Sequence, residues 1–235
     1  MRFLVRADVR SWLVPLLRAA RHEWAGYTTR PLAGGRGGAR LVPAPALAPA
    51  HDVVVRPYRR GGLPARLLHD TYFGWNPRPF HELCVMAALH DRGAPVVEVY
   101  GAAVEWLLPG CYRGWLATRY IEGARTFWEW AAATPPVQER APLLRDVGKS
   151  IRRLHDCGAR HPDLNANNIL LGPTTDVLFI DFDRAHISPA NDHEREADLD
   201  RLWRSLRKLD PQGQHVTAAD FEMLRAAYRE GRACA

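Results

Sequence analysis

Three side chains in one stretch have the types and spacing that phosphoryl transfer requires. That reaction needs a carboxylate to accept a hydroxyl proton, and an amide oxygen and a second carboxylate to hold magnesium. All three must sit on segments stiff enough to keep them in place. The stretch opens with His161-Pro162-Asp163, and Asn168 follows Asp163 at the spacing of an H-x-D-x-x-x-x-N phosphotransfer loop. Asp181, eighteen residues past Asp163, opens an Asp-Phe-x tripeptide at the end of the apolar run Val177-Leu178-Phe179-Ile180. A lone H-x-D is common by chance, and an apolar run ending in Asp usually marks only a strand meeting a turn. The ordered combination is far more specific. It assigns Asp163 as the catalytic base and Asn168 and Asp181 as Mg2+ ligands, with His161 orienting the loop backbone.

Stiff elements have to flank such a loop. Ile169-Leu170-Leu171 reads as a strand that Gly172-Pro173 turns toward the strand carrying Asp181. Upstream, Leu143, Leu144, Val147, Ile151 and Leu154 recur at helical intervals between Pro142 and Cys157, and Gly158 is a natural C-terminal stop. Downstream, Leu199, Leu202, Trp203 and Leu206 line one face of a helix over Glu194 to Leu209. No A-P-E segment and no long activation loop separate Asp181 from that helix. A peptide substrate would have little platform, so small or sugar-like acceptors are favoured.

The first half of the chain offers candidates for holding the nucleotide, ATP. Val53-Val54-Val55 predicts a buried strand, and Arg56 stands where a V-A-I-K strand carries the lysine that pairs with phosphates and with a helix glutamate. The only lysines in the chain are Lys149 and Lys208, so an arginine must substitute. A guanidinium is permanently charged and pairs bidentately with carboxylate or phosphate, though it is not the steric equivalent of an ammonium. Glu82, in the amphipathic helix Arg78 to Leu89, is the expected partner. Upstream, Gly34-Gly35-Arg36-Gly37-Gly38 falls short of a full G-x-G-x-x-G, but Gly35, Arg36 and Gly37 could bring backbone N–H groups close to phosphate oxygens. Short strands are predicted at Val96 to Val99 and Tyr112 to Ile121, with an alanine-proline connector over Pro43 to Pro49.

These elements predict an α+β, two-lobed, protein-kinase-like fold. Its N-lobe would be small and mostly antiparallel β with one helix, and its C-lobe mainly helical. The expected divisions are an N-terminal extension at 1–30, an N-lobe at 31–122 and a C-lobe with the catalytic loop at 123–235. A chain of 235 residues that is 47% hydrophobic can bury the core this needs. Cys84, Cys111, Cys157 and Cys234 are scattered, which points to neither a zinc site nor a disulfide framework. Charged residues break up the first twenty positions, so neither a signal peptide nor a membrane span is expected. Around Ser11 to Trp24 an amphipathic helix interrupted by Pro15 would pack on the first lobe or lie on a membrane surface. The net charge of +6 favours anionic partners, but no nucleic-acid-binding motif accompanies it.

The chain resembles the bacterial lipopolysaccharide core kinases, most closely those acting on 3-deoxy-D-manno-octulosonic acid (Kdo). The resemblance rests on Gly34-Gly35-Arg36-Gly37, Arg56-Pro57-Tyr58-Arg59-Arg60-Gly61-Gly62-Leu63, Arg78-Pro79-Phe80-His81-Glu82, Asp163-Leu164-Asn165-Ala166-Asn167-Asn168 and Ile180-Asp181-Phe182-Asp183-Arg184, within roughly residues 27 to 210. It implies transfer of the γ-phosphoryl group of ATP to the 4-hydroxyl of a Kdo residue of Kdo-lipid A. The expected setting is the cytoplasmic side of the inner membrane, with the protein held peripherally at an anionic surface. It also implies the roles assigned above to Asp163, Asn168, Asp181, Arg56 and Glu82. Relatives in that family that phosphorylate heptose leave the acceptor sugar open. A small atypical protein kinase would instead carry lysine at Arg56 and glycine at Asp183, and a pseudokinase would keep the fold without transfer.

Overall fold

The computed structural model describes residues 1–22, 24–32, 38–43, 51–59, 70–173, 176–189 and 191–231. Two compact units divide them: Met1–Ala87 with Glu98–Ile121, and Ala88–Val97 with Glu122–Ala235.

The first unit is built on one antiparallel sheet. Its strands are β1 (Arg2–Val5), β2 (Arg30–Pro31), β3 (Arg40–Val42), β4 (Val53–Pro57), β5 (Tyr72–Phe73), β6 (Val99–Leu108) and β7 (Cys111–Arg119), in the order β1-β6-β7-β4-β3-β2 with β5 paired to β7. Val53 and Val55 face one side, where α1 (Arg10–Ala19) lies and buries Leu13, Leu16 and Leu17 against Val42, Ala103, Trp115 and Ala117. That apolar contact outweighs the backbone hydrogen bond lost at Pro15, and the helix runs through the proline instead of stopping at it. Residues 1–30, set apart on sequence as an extension, thus supply an outer strand and a packed helix to this unit. The strand expected at Val96 begins instead at Val99, because Val96 bridges to Phe179 in the second unit. α2 (Arg78–Asp91) starts in the first unit.

In the second unit α3 (Phe127–Ala132) follows β8 (Arg125–Thr126), and Thr126 and Glu129 close a capping box at its start. α4 (Val137–Asp156) is longer than its periodicity suggested and continues through Pro142. It ends where Gly158, at φ +85°, turns the chain into β9 (Ala159–Arg160). The sheet β11-β10-β8 contains β10 (Ile169–Leu171) and β11 (Val177–Phe179), and β12 (His186–Ile187) pairs with β9. α5 (Asp192–Leu209) is capped by Asn191, whose side chain accepts from Glu194 N at 2.8 Å. α6 (Ala218–Glu230), not anticipated from the sequence, packs along α4 and stacks Phe221 on Trp203 of α5 at 4.7 Å between ring centroids.

The α4–α6 approach depends on Gly148, where a Cβ would fall 2.3 Å from the Leu224 carbonyl oxygen. Backbone cannot yield as a side chain does. Gly148→Ala is therefore expected to lose about 1–3 kcal/mol of stability despite the better helix propensity of alanine. Chemical denaturation of both proteins measures this, and an alanine variant as stable as the parent would contradict the close packing.

Candidate active site

The second unit brings Asp163, Asn168 and Asp181 into one neighbourhood through its backbone. Asn168 N donates to Asn165 O at 3.0 Å, and Ile180 N donates to Asn168 O at the same distance. This continues the β10–β11 ladder and sets Asp181 beside the end of the loop. Asp181 takes φ +66°, the left-handed region that a short polar side chain tolerates and that often marks functional positions.

Two amides lock the loop around the Asp163 carbonyl, which accepts from Asn165 Nδ2 at 2.8 Å and Asn168 Nδ2 at 3.1 Å. Because the Asn168 amide nitrogen is committed to that carbonyl, its side-chain oxygen is the atom it can present to a cation. Among the described residues no group of three or more His, Cys, Asp or Glu side chains is arranged to hold a metal. One carboxylate and one amide oxygen nevertheless fit Mg2+, which keeps several waters and shares its coordination with substrate phosphates. The Asp163 carboxylate is about a third exposed and receives Arg201 Nη2, from α5, at 2.6 Å on Oδ1.

Beneath the loop lies a buried polar network. Asp198 of α5 accepts from His161 N at 3.0 Å, while His155 Nε2 lies 3.4 Å away and Arg160 Nη2 3.5 Å away. His155 is anchored in turn by the Tyr228 hydroxyl at 2.8 Å. Burial pushes the Asp198 carboxyl up, but the His155 ring, the His161 N–H and the Arg160 charge together hold it below the usual carboxylate range. His161 reaches Ile180 O through Nε2 at 3.2 Å and packs against Phe182. Burial lowers its pKa and keeps the ring neutral, against the Ile180 carbonyl and the charges of Asp181, Asp198 and Asp163, which favour protonation. It is a positioning residue between two segments of the site.

In the first unit Arg56 Nη2 lies 2.7 Å from both oxygens of Glu82, and the Tyr58 hydroxyl also bonds that carboxylate. Glu82 is fully buried, whereas the Arg56 side chain keeps a third of its surface exposed. Gly35, Arg36 and Gly37 lie outside the described residues, as do Arg60 and Gly61.

A model of the lipopolysaccharide kinase (Kdo/WaaP) family matches residues 33–228. The chain is 36% identical over 213 residues to a 3-deoxy-D-manno-octulosonic acid kinase of Xylella fastidiosa (strain M12), covering 87% of this chain and 81% of that protein. It is 37% identical over 210 residues to the enzyme of that name from Xanthomonas campestris pv. campestris (strain B100), covering 86% and 80%. The chain belongs to the lipopolysaccharide kinase (Kdo/WaaP) family. Among solved structures, WaaP in complex with acyl carrier protein aligns with a TM-score of 0.61 at 16% identity, covering 98% of this chain and 89% of that one, which shows a shared kinase-like fold. The family match runs past Asp210, where the resemblance read from motifs stopped, and through most of α6.

Two residues of this family member escaped the sequence reading. Asp198 and Arg201 both lie on α5, where they look like charges on a solvated face. Arg195, Arg204 and Arg207 share that helix, and nothing local separates Arg201 from them.

Because Asp198 has a folded-state pKa below its unfolded value of about 3.9, its contribution is complete above about pH 4 and is lost as pH falls through the folded value. Asp198→Asn is expected to cost about 3 kcal/mol at neutral pH and to weaken the dependence of stability on pH below about 4. Denaturation across that range tests both effects. An unchanged acid limb would remove Asp198 from the account.

Proposed function

We propose that this lipopolysaccharide kinase transfers the γ-phosphoryl group of ATP to the 4-hydroxyl of a Kdo residue on Kdo-lipid A. The observation that carries the reading is the locked loop, in which Asp163, Asn168 and Asp181 occupy adjoining positions on a backbone fixed by the Asn165 and Asn168 amides. The relatives at 36–37% identity, named as Kdo kinases, favour Kdo over heptose. The arginine at position 56 and Asp183 in place of glycine count against a protein kinase.

In this reading the sugar oxygen attacks the γ-phosphorus in line as the bond to the β–γ bridging oxygen breaks, and ADP leaves. The hydroxyl proton passes to the Asp163 carboxylate late in the step. Arg201 holds that carboxylate in place and brings positive charge beside the incoming phosphoryl group. Most protein kinases carry a lysine just after the Asp-Leu pair, and here that position is Asn165. Asn168 and Asp181 would hold Mg2+, which neutralises charge on the β- and γ-phosphates when bound. Arg56, braced by Glu82 and Tyr58, contacts the nucleotide phosphates. That the two units act as the two lobes of a kinase belongs to the same proposal. So does a peripheral position on the anionic, cytoplasmic face of the inner membrane.

Mass spectrometry of Kdo-lipid A incubated with ATP, Mg2+ and the protein tests the function. One added phosphate on the Kdo 4-hydroxyl is expected. Phosphate found only on heptose-containing acceptors, or only on protein, would overturn the assignment.

A further inference from the structure

One face of the first unit gathers features that neither the core nor the phosphotransfer chemistry uses. Residues directly paired across antiparallel strands project to the same side. The register pairs Phe73 and Leu108 with Cys111, and Glu105 with Arg113. Cys111, Arg113 and Trp115 alternate along β7, so Phe73, Leu108 and Arg113 share the face of Trp115, which is the face covered by α1. Arg56 pairs with Leu116 and points to the other side.

On the α1 face a pocket of about 580 Å3 opens, lined by Arg21, Arg40, Arg59, Arg113, Trp24 and Trp115, with Asp70 at its edge. Arg21 pairs with Glu105 at 2.8 Å and Arg113 with Asp70 at 2.9 Å. Arg40 donates to Thr29 Oγ1 at 3.0 Å, and among the described residues neither Arg40 nor Arg59 has an acidic partner. Among the described residues, four guanidinium groups against two carboxylates leave a surplus of two positive charges. Guanidinium forks match the oxygens of a phosphate, and an anion would relieve the crowding.

Beside this pocket the turn between β6 and β7 exposes Leu108 to 68%, while Phe73 is 58% and Trp75 77% exposed. Gly74 N donates to Gly110 O at 2.8 Å, which pins the Phe73–Trp75 segment to that turn. Single exposed apolar side chains are ordinary, but Phe73 and Leu108 flank Cys111 on one face of the hairpin tip and form a patch, while Trp75 packs on Trp106, whose partner Tyr112 faces the other side. Aromatic and leucine side chains next to arginines are the composition of a surface that sits at a lipid–water boundary.

We propose that this face docks on anionic phospholipid, with the arginine pocket taking a headgroup phosphate and Phe73 and Leu108 entering the interfacial layer. The inference rests on the membrane-surface part of the function proposed above and is independent of the acceptor sugar. The full chain is to be sedimented with vesicles of phosphatidylglycerol or of phosphatidylcholine, at low and high salt, with inorganic phosphate as a soluble competitor. Preference for phosphatidylglycerol that weakens with salt is expected. The double variant Arg40→Gln/Arg59→Gln should bind about 25-fold more weakly, at about fivefold per charge removed. Phe73→Ser/Leu108→Ser should weaken binding while keeping its salt dependence. Thermal unfolding controls for folding, and Arg59→Gln alone, expected at about a fivefold loss, carries the test should the double variant unfold. A wild-type chain that ignores both vesicle types sinks the membrane reading itself. Phosphatidylglycerol binding untouched by either pair leaves membrane association standing and overturns this face as its site. Protection by inorganic phosphate without vesicle capture would assign the pocket to a soluble phosphate compound and overturn the docking.

Discussion

A single buried carboxylate organises the second unit. Asp198 is almost without solvent contact, and the free energy of burying its charge is offset only because His161 N, His155 and Arg160 surround it. Those partners come from the end of α4, from β9 and from the first residue of the loop that carries Asp163. An ionised Asp198 therefore ties three segments of chain to α5. The Tyr228 hydroxyl extends the network to α6 through His155. The loop geometry then follows, since His161 is fixed at one end by Asp198 and reaches Ile180, just before Asp181, with its ring.

The first unit solves a similar problem with different residues. Glu82 is fully buried on α2 and would be expensive there alone, but Arg56 and Tyr58 both engage it. The Arg56 fork can hold both carboxylate oxygens through one nitrogen and still keep part of its surface outside the fold. An ammonium would occupy the same place as a point charge with less geometric definition. In a chain whose lysines all lie past position 148, the strand arginine preserves the ion pair with different stereochemistry.

The loop was legible in the sequence because its information is local. Asp163, Asn168 and Asp181 are set by a loop, a strand, a tight turn and a second strand, and each of these leaves a pattern in consecutive residues. Arg56 and Glu82 were legible because one alternates along a strand and the other follows a helical period. Asp198 and Arg201 left no such trace. Their contacts to His161 and Asp163 span 37 and 38 residues, and only the packing of α5 selects them from the other charges on that helix. α6, by contrast, did carry a local signal that the sequence reading passed over, in the Thr217–Asp220 capping box and the apolar positions Phe221, Leu224, Ala227 and Tyr228. Pro15 and Pro142 misled in the opposite direction, because local propensity gave way to buried apolar contacts in α1 and to the length of α4.

The central claim is that the locked loop presents Asp163 as the proton acceptor for transfer. Its most direct test is single-turnover phosphorylation of Kdo-lipid A by Asp163→Asn, with ATP affinity measured on the same preparation. The account predicts a fall in the transfer rate of about 10²–10⁴-fold with ATP binding essentially unchanged. A variant that transfers phosphate at the wild-type rate would contradict it.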